Sequence, residues 1–172
     1  GPGPAMNAGI RATTADVIMR MDGHALPARE YLERCLDVLD AEGSGPRVVG
    51  GIWRVAPGAP TNSARAIAAV VSHPLGSGGA GYRHADGPVR VSVETVPFGT
   101  FPRAVWEQLG GFDESLEANQ DFDFNYRARQ AGFDVVLDRR IASEYYARPT
   151  MASLARQYFR YGYWKVQMLR KD

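Results

Sequence analysis

Residues 15–24 read Ala-Asp-Val-Ile-Met-Arg-Met-Asp-Gly-His, an apolar run that ends in an acidic residue and a glycine. This length and composition are typical of a short buried strand. In α/β folds, ligands bind beyond the carboxyl ends of the strands. We therefore expect an α/β domain in which residues 15–22 form a strand and Asp22 lies at the rim of a site.

Helix and strand patterns alternate on both sides of this stretch. Glycines and prolines in the first twelve residues exclude an opening strand, so the chain is expected to start in the middle of its fold. Pro27 is predicted to open an amphipathic helix whose apolar face runs from Ala28 through Leu32 to Leu39. The other predicted elements are strands at 47–53, 89–96 and 134–137, helices at 63–72, 103–109, about 120–131 and 150–171, and a long mobile loop at 76–88.

Composition limits the classes of function. The 172 residues are 45% hydrophobic and 23% charged with a formal net charge of +1, which is ordinary for a globular domain and provides no field for a nucleic-acid backbone. Cys35 is the single cysteine, so an intrachain disulfide framework and cysteine-based zinc fingers are excluded. The chain also has no apolar run of the ~20 residues needed to cross a bilayer. We expect a cytoplasmic protein without a nucleic-acid partner.

Two acidic motifs are candidates for chemistry. Asp22-Gly23-His24 combines a carboxylate and an imidazole at a strand end, a donor set suited to Mn²⁺ or Mg²⁺ bridged to phosphates. In Asn119-Gln120-Asp121-Phe122-Asp123, two carboxylates lie in the first turn of a predicted helix, where one could act as a general base. The alternatives are a simple turn with an exposed histidine for the first motif, and ordinary acidity at a helix start for the second.

A third candidate is Gln157-Tyr158-Phe159-Arg160-Tyr161 in the last helix. An amide and a guanidinium at i and i+3 share one helix face beside aromatic rings, and such groups bind phosphate oxygens and sugar rings. The same helix is basic and aromatic, which is typical of a segment at an anionic membrane surface. The alternative is a helix that packs on the core with its arginines in solvent.

The order of these motifs resembles glycosyltransferase family 2, the inverting enzymes of the GT-A fold. The resemblance rests on "NAGI", "MDGH", "VETVPFGTFPRAVWEQLGGFDE", "NQDFDFNYRAR" and "YYARPTMASLARQYFRYGYWK" in that sequence order, and it covers nearly all of residues 5–171. Among family members the pattern is most similar to the succinoglycan-type glucosyltransferases of exopolysaccharide biosynthesis. It implies a GT-A-like mixed α/β sheet with flanking helices, without the first nucleotide-binding strands. The implied division is a partial catalytic domain at 1–149 and a basic amphipathic helix at 150–172.

The resemblance also implies roles for individual residues. Asp22 and His24 match the family's Asp-x-Asp element, which binds a divalent cation, Mn²⁺ or Mg²⁺, and the nucleotide diphosphate; histidine replaces the second acid. Asp121 matches the catalytic base. The implied substrate-binding residues are Gln120, Asp123, Gly111, Asp113, Gln157, Arg160 and Tyr161.

The implied function is inverting transfer of a hexose from a nucleotide sugar, expected to be UDP-glucose, to a hydroxyl of a lipid-linked or polysaccharide acceptor. We expect the isolated chain to be weak or inactive, and the last helix to contact the inner face of the cell membrane. The alternative is a non-catalytic sugar- or membrane-binding module on the same scaffold. A nucleotidyltransferase is disfavoured because its glycine-rich phosphate loop would lie near the N-terminus, whereas the glycines here cluster at 76–81.

Overall fold

The computed structural model of the protein describes residues 1–23, 25–41, 45–77 and 80–170. In this part of the chain, six strands form one sheet in the order β1-β5-β3-β6-β2, and β4 also pairs with β6. The strands are β1 (Val17–Met19), β2 (Leu26–Pro27), β3 (Arg47–Pro57), β4 (Arg90–Ser92), β5 (Thr100–Pro102) and β6 (Asp134–Ala147). The α-helices are α1 (Pro2–Arg11), α2 (Tyr31–Leu39), α3 (Asn62–Ser72), α4 (Pro74–Ser77), α5 (Arg103–Gln108), α6 (Gln120–Gln130) and α7 (Met151–Leu169), and a short 3₁₀ turn spans Gly81–Arg83.

The pairing pattern brings several chain ends to one edge of the sheet. β3 and β6 are parallel, while β5 is antiparallel to both β3 and β1, so β1, β3 and β6 run in the same direction. Their carboxyl ends therefore meet at one edge, which we call the carboxyl edge. Asp22 follows β1 there, and α7 starts just after β6.

Two helical layers cover the sheet. On one face, Tyr31, Cys35 and Val38 of α2 are buried against the strands. On the other face, Phe124 of α6 packs with Phe101 of β5 in a cluster that also includes residues of α1 and α5. The β3 side chains alternate between the two clusters, as expected for a strand covered on both faces.

The paired strands β3 and β6 carry a bulge. Gly50 is paired with Leu137 and Ile52 with Ala142, so β6 has three more residues than β3 between these two pairs. A Cβ at Gly51 would lie 2.3 Å from the carbonyl oxygen of Ile141. Glycine is therefore required at position 51 by the close contact between β3 and β6.

Several predicted elements differ from the structure. The first residues form a helix, α1, that was not predicted, although they form no strand, as expected; Pro2 occupies the first helical turn, where its missing N–H costs nothing. The prediction that Pro27 opens a helix was wrong, because Leu26–Pro27 pairs with β6 and α2 begins at Tyr31. Leu32, predicted to be on the apolar face, is exposed, since α2 presents Tyr31, Cys35 and Val38 to the sheet.

Two strand lengths also differ. The half-exposed strand predicted at 89–96 is formed only over Arg90–Ser92. The strand predicted at 134–137 continues through the bulge to Ala147. The long loop predicted at 76–88 contains the end of α4 and the 3₁₀ turn, and residues 78–79 lie outside the described part. The fold class, a mixed α/β sheet flanked by helices, is confirmed.

Candidate functional site

Asp22 and Asp121 lie on either side of one arginine side chain. Arg20 Nη2 donates to Asp22 Oδ1 at 2.6 Å, and Arg20 Nη1 donates to Asp121 Oδ2 at 3.3 Å. The Arg20 side chain is 16% exposed, whereas the two carboxylates are about one third exposed. The fold thus brings together the two carboxylates that the sequence singled out, 99 positions apart, through a residue that the sequence analysis missed.

Arg20 is held by the backbone and by an aromatic ring. Its amide donates to the carbonyl of Gly99 at 3.1 Å, continuing the pairing of β1 with β5. Its guanidinium carbon lies 5.9 Å from the ring centroid of Phe98, within the range of a cation–π contact. These contacts keep the guanidinium at the carboxyl edge rather than free in solvent.

Asp121 is oriented from its own helix as well. It lies in the first turn of α6, where free amides and the helix dipole favour negative charge. Its Oδ1 atom accepts a hydrogen bond from the amide of Phe122 at 2.9 Å, so each carboxylate oxygen has one fixed donor. Asn119 precedes α6 in a left-handed conformation (φ 65°), and its side chain does not cap the helix but donates to the carbonyl of Tyr161 at 2.8 Å.

The predicted cation site is built around Asp22. His24, the other predicted ligand, lies outside the described residues. Over the ranges that the structure describes, there is no group of three or more histidine, cysteine, aspartate or glutamate residues that could enclose a metal. One partly exposed carboxylate still fits Mg²⁺ or Mn²⁺ bound together with substrate phosphates, because such sites use only one or two protein carboxylates.

The predicted residues of α7 fix this helix beside α6. Gln157 Nε2 donates to the hydroxyls of Tyr145 at 3.1 Å and Tyr161 at 2.9 Å. Arg160 Nη2 donates to the carbonyl of Glu117 at 2.6 Å, in the segment that leads into α6. Burial raises the pKa of Tyr161, and the charge of Asp121 adds to that rise, so this phenol lies within electrostatic range of the candidate base.

An aromatic wall lines the same edge, and the sequence analysis did not identify it. The rings of Trp53 and Tyr145 are stacked with centroids 4.1 Å apart, and Tyr82 meets Trp53 edge-on at 5.0 Å. Burial raises the pKa of Tyr82 to about 12; the neighbouring Arg83 lowers it and the charge of Asp121 raises it further. The available signal was Trp53 near the end of a buried strand, at the edge where α/β ligands bind.

The predicted residues Gln120 and Asp123 are buried in structural contacts. Gln120 donates through Nε2 to the carbonyl of Leu116 at 2.7 Å. Asp123 forms an ion pair with Arg127 one helical turn later, with an N–O distance of 2.7 Å. Both residues support the first turn of α6, which carries Asp121.

Gly111 and Asp113 shape the loop before α6. Gly111 has a φ of 88°, and its carbonyl accepts a hydrogen bond from Arg127 at 2.9 Å. The Oδ1 atom of Asp113 accepts hydrogen bonds from the amide and hydroxyl of Ser115. Substrate contact by these two residues stays a prediction.

Comparisons with known proteins identify the family. The family model described as Glycosyl transferase family 2 matches residues 1–96, just over half of the 172 residues. The chain belongs to glycosyltransferase family 2. The predicted resemblance is thus confirmed, and the carboxylates joined by Arg20 belong to a family 2 scaffold.

Two curated relatives match most of the chain. The succinoglycan biosynthesis protein ExoA of Rhizobium meliloti (strain 1021) is 29% identical over 148 residues, which are 86% of this chain and 43% of the relative. A dolichyl N-acetyl-α-D-glucosaminyl phosphate 3-β-D-2,3-diacetamido-2,3-dideoxy-β-D-glucuronosyltransferase of Methanococcus voltae is 26% identical over 169 residues, 97% of this chain and 52% of the relative. The chain therefore spans about half the length of these relatives.

A solved structure confirms the fold. The mannosyltransferase PcManGT from Pyrobaculum calidifontis, in complex with GDP-Man and Mn²⁺, superposes with a TM-score of 0.66 at 19% identity, over 99% of this chain and 43% of that one. The expected GT-A-like architecture is thereby shown. No helix in the described ranges has the length and apolar character needed to span a membrane.

Proposed function

We propose that the protein is an inverting glycosyltransferase that moves a hexose from a nucleotide sugar to an acceptor hydroxyl. The observation that carries this proposal is the pair Asp22 and Asp121, which Arg20 joins at the carboxyl edge of a family 2 scaffold. In this proposal Asp22 serves the donor side of the reaction, and Asp121, at a helix start, accepts a proton.

The donor is proposed to be UDP-glucose and the acceptor a lipid-linked or polysaccharide sugar. The names of the two relatives support the acceptor class, since one refers to succinoglycan biosynthesis and the other to a dolichyl-linked glucosaminyl phosphate. For the cation, support comes from the Mn²⁺ in the mannosyltransferase complex of the same fold and from the carboxylate of Asp22. We propose Asp22 and His24 as its protein ligands.

In this proposal Asp121 removes the proton from the acceptor hydroxyl. The hydroxyl oxygen then attacks the anomeric carbon from the face opposite the diphosphate, so the bond to carbon forms as the bond to the diphosphate breaks and the configuration inverts. The amide of Phe122 and the guanidinium of Arg20 hold Asp121 in place for this proton transfer. A bound divalent cation would supply positive charge for the leaving diphosphate.

The aromatic wall and α7 would form the sides of the substrate site. Trp53 packs between Tyr145 and Tyr82, and the charge of Asp121 acts on Tyr82, so we propose that this aromatic cluster stiffens the side of the site next to Asp121. Gln157 fixes the hydroxyl of Tyr161, a residue that is 37% exposed. We propose that Tyr161 contacts the donor diphosphate or the acceptor sugar and that Gln157 and Arg160 keep α7 in position.

Replacement of the base is the direct test. Asp121→Asn keeps the shape of the side chain and removes its ability to accept a proton, so transfer from UDP-glucose to an acceptor glycan should fall about 100-fold or more. Calorimetry should still detect donor binding. Glu117→Gln, an exposed carboxylate in the same acidic segment, is the matched control and should transfer at the parental rate.

Two outcomes would count against the proposal. Transfer by Asp121→Asn at the parental rate would show that another group is the base. Binding of UDP-glucose that does not depend on a divalent cation would favour the non-catalytic sugar-binding module instead.

A further inference from the structure

Arg20 connects the donor and acceptor sides of the candidate site. Its two terminal nitrogens hold different carboxylates, Asp22 at 2.6 Å and Asp121 at 3.3 Å. A guanidinium has a planar fork of N–H groups that matches carboxylate and phosphate oxygens equally well. The present partners of Arg20 therefore occupy donors that a diphosphate could also use.

The charges of these three groups decide which ligand can enter first. Two carboxylates and one guanidinium sum to −1, and this local charge repels an anionic diphosphate. A divalent cation changes the sum to +1. Asp22 Oδ1 accepts a hydrogen bond from Arg20 Nη2, so a cation that binds this carboxylate competes with the arginine for it.

We propose that Arg20 exchanges partners during donor binding. The divalent cation takes over the carboxylate of Asp22, and the freed Nη2 group of Arg20 binds an oxygen of the donor diphosphate. Nη1 stays on Asp121 and keeps that carboxylate oriented. Arg20 is thus a diphosphate-binding residue that becomes available only after the cation has bound, an inference that rests on the proposed function.

The fold supplies the support that this exchange needs. The ring of Phe98 lies against the guanidinium, and the backbone of Arg20 is bonded to Gly99, so loss of one carboxylate partner leaves the side chain held. Arg20 remains 16% exposed and can therefore be reached from solvent.

The test is calorimetry on this chain with two probes, Mn²⁺ alone and inorganic pyrophosphate in excess Mg²⁺. In Arg20→Met the competing charge is gone, so Mn²⁺ should bind about fivefold more tightly, while pyrophosphate should bind about tenfold more weakly. Arg20→Lys keeps the charge but loses the fork, so Mn²⁺ binding should stay near the parental value and pyrophosphate binding should be weakened. A purely structural role would not shift the two ligands in opposite directions.

Arg90→Met is the matched control. Arg90 also lies 3.3 Å from an aspartate, Asp138, which retains Arg140 as a second partner. Both probes should bind this variant as they bind the parent. The inference would be overturned if the affinities of Arg20→Met for Mn²⁺ and pyrophosphate changed in the same direction, or if neither changed. It would also be overturned if the parent did not bind Mn²⁺.

A separate experiment, the transfer assay of Asp121→Asn, tests the proposed function. If Asp121→Asn abolishes transfer while Arg20→Met binds both probes like the parent, only the role of Arg20 is refuted. If the opposite shifts are seen while Asp121→Asn transfers normally, the exchange at Arg20 holds and the assignment of the base is wrong.

Discussion

Phe98 adopts a backbone conformation that a bulky residue rarely tolerates. Its φ is 51° although the side chain is almost fully buried. The ring lies next to Trp53, with centroids 5.7 Å apart, and beside the guanidinium of Arg20. Such strain persists only where the surroundings impose it, and it is concentrated at functional sites. We infer that the strain at Phe98 is part of what positions Arg20.

At the residue scale, local sequence patterns singled out Asp22 and Asp121 but not Arg20, which joins their carboxylates. The two aspartates mark element boundaries, a strand end and a helix start, which local patterns reveal. Arg20 looked like one polar residue in an apolar strand, although its spacing of two from Asp22 puts both on one side of an extended chain. Its contact with Asp121 depends on long-range pairing that no local pattern contains.

At the element scale, the length of β6 could not be predicted from the sequence, for a physical reason. The run Asp138-Arg139-Arg140 looks like the end of a strand, but it forms the bulge opposite Gly51. Asp138 is fully buried there and paired with Arg140 and Arg90. Burial opposes ionisation, yet hydrogen bonds from Arg140 and Arg90 keep the pKa of Asp138 below its usual range.

The bulge makes a stability prediction. Gly51→Ala would place a methyl group 2.3 Å from a backbone oxygen of β6, so it should lower the free energy of unfolding by about 3 kcal/mol. Gly9→Ala in α1 meets no atom within 4 Å and should raise it by about 0.5 to 1 kcal/mol. Urea denaturation of both variants measures the two effects, and equal stability of Gly51→Ala and the parent would contradict the close β3–β6 contact.

Helix α7 makes a prediction about membranes. Phe159, Tyr163 and Val166 form an exposed apolar stripe, and Arg156 and Arg170 lie beside it at helical spacing. Two other basic residues face α6: Arg160 bonds to Glu117, and Lys165 lies 4.1 Å from the ring centroid of Phe122. We propose that the stripe meets the anionic inner face of the cell membrane.

Co-sedimentation with vesicles tests this proposal. The chain should bind vesicles that contain phosphatidylserine more strongly than neutral ones, and Phe159→Ser should weaken that binding several-fold because the ring is 77% exposed. Leu75→Ser, which alters a residue that is 92% exposed elsewhere, is the control and should bind like the parent. Binding that does not depend on anionic lipid would exclude the membrane role.

At the scale of the whole molecule, the sheet order is what assembles the site. Three strands that run in one direction bring Asp22, Trp53 and Tyr145 to the carboxyl edge, and helices α6 and α7 bring Asp121 and Tyr161 to it. Helix and strand patterns predicted most of these elements. They could not predict the order of the strands, because pairing depends on contacts between distant segments.

Two buried side chains of α2, Cys35 and Tyr31, make the stability of the fold depend on alkaline pH. Burial raises the pKa of the Cys35 thiol from 9.0 to about 11, and it also raises the pKa of Tyr31. The folded state therefore holds these protons more tightly than the unfolded chain. For Cys35 this contribution to stability is complete below about pH 9 and is lost as the pH rises through about 11.

Urea denaturation at several pH values, followed by tryptophan fluorescence, measures this loss. Between about pH 9 and 11 the free energy of unfolding should fall by up to about 1.4 kcal/mol per pH unit for Cys35 alone. Cys35→Ala lacks that proton, so its free energy of unfolding should fall less steeply with pH, even though the smaller side chain lowers stability at pH 8. Parallel curves for Cys35→Ala and the parent would mean that this thiol ionises as readily in the folded protein as in the unfolded chain.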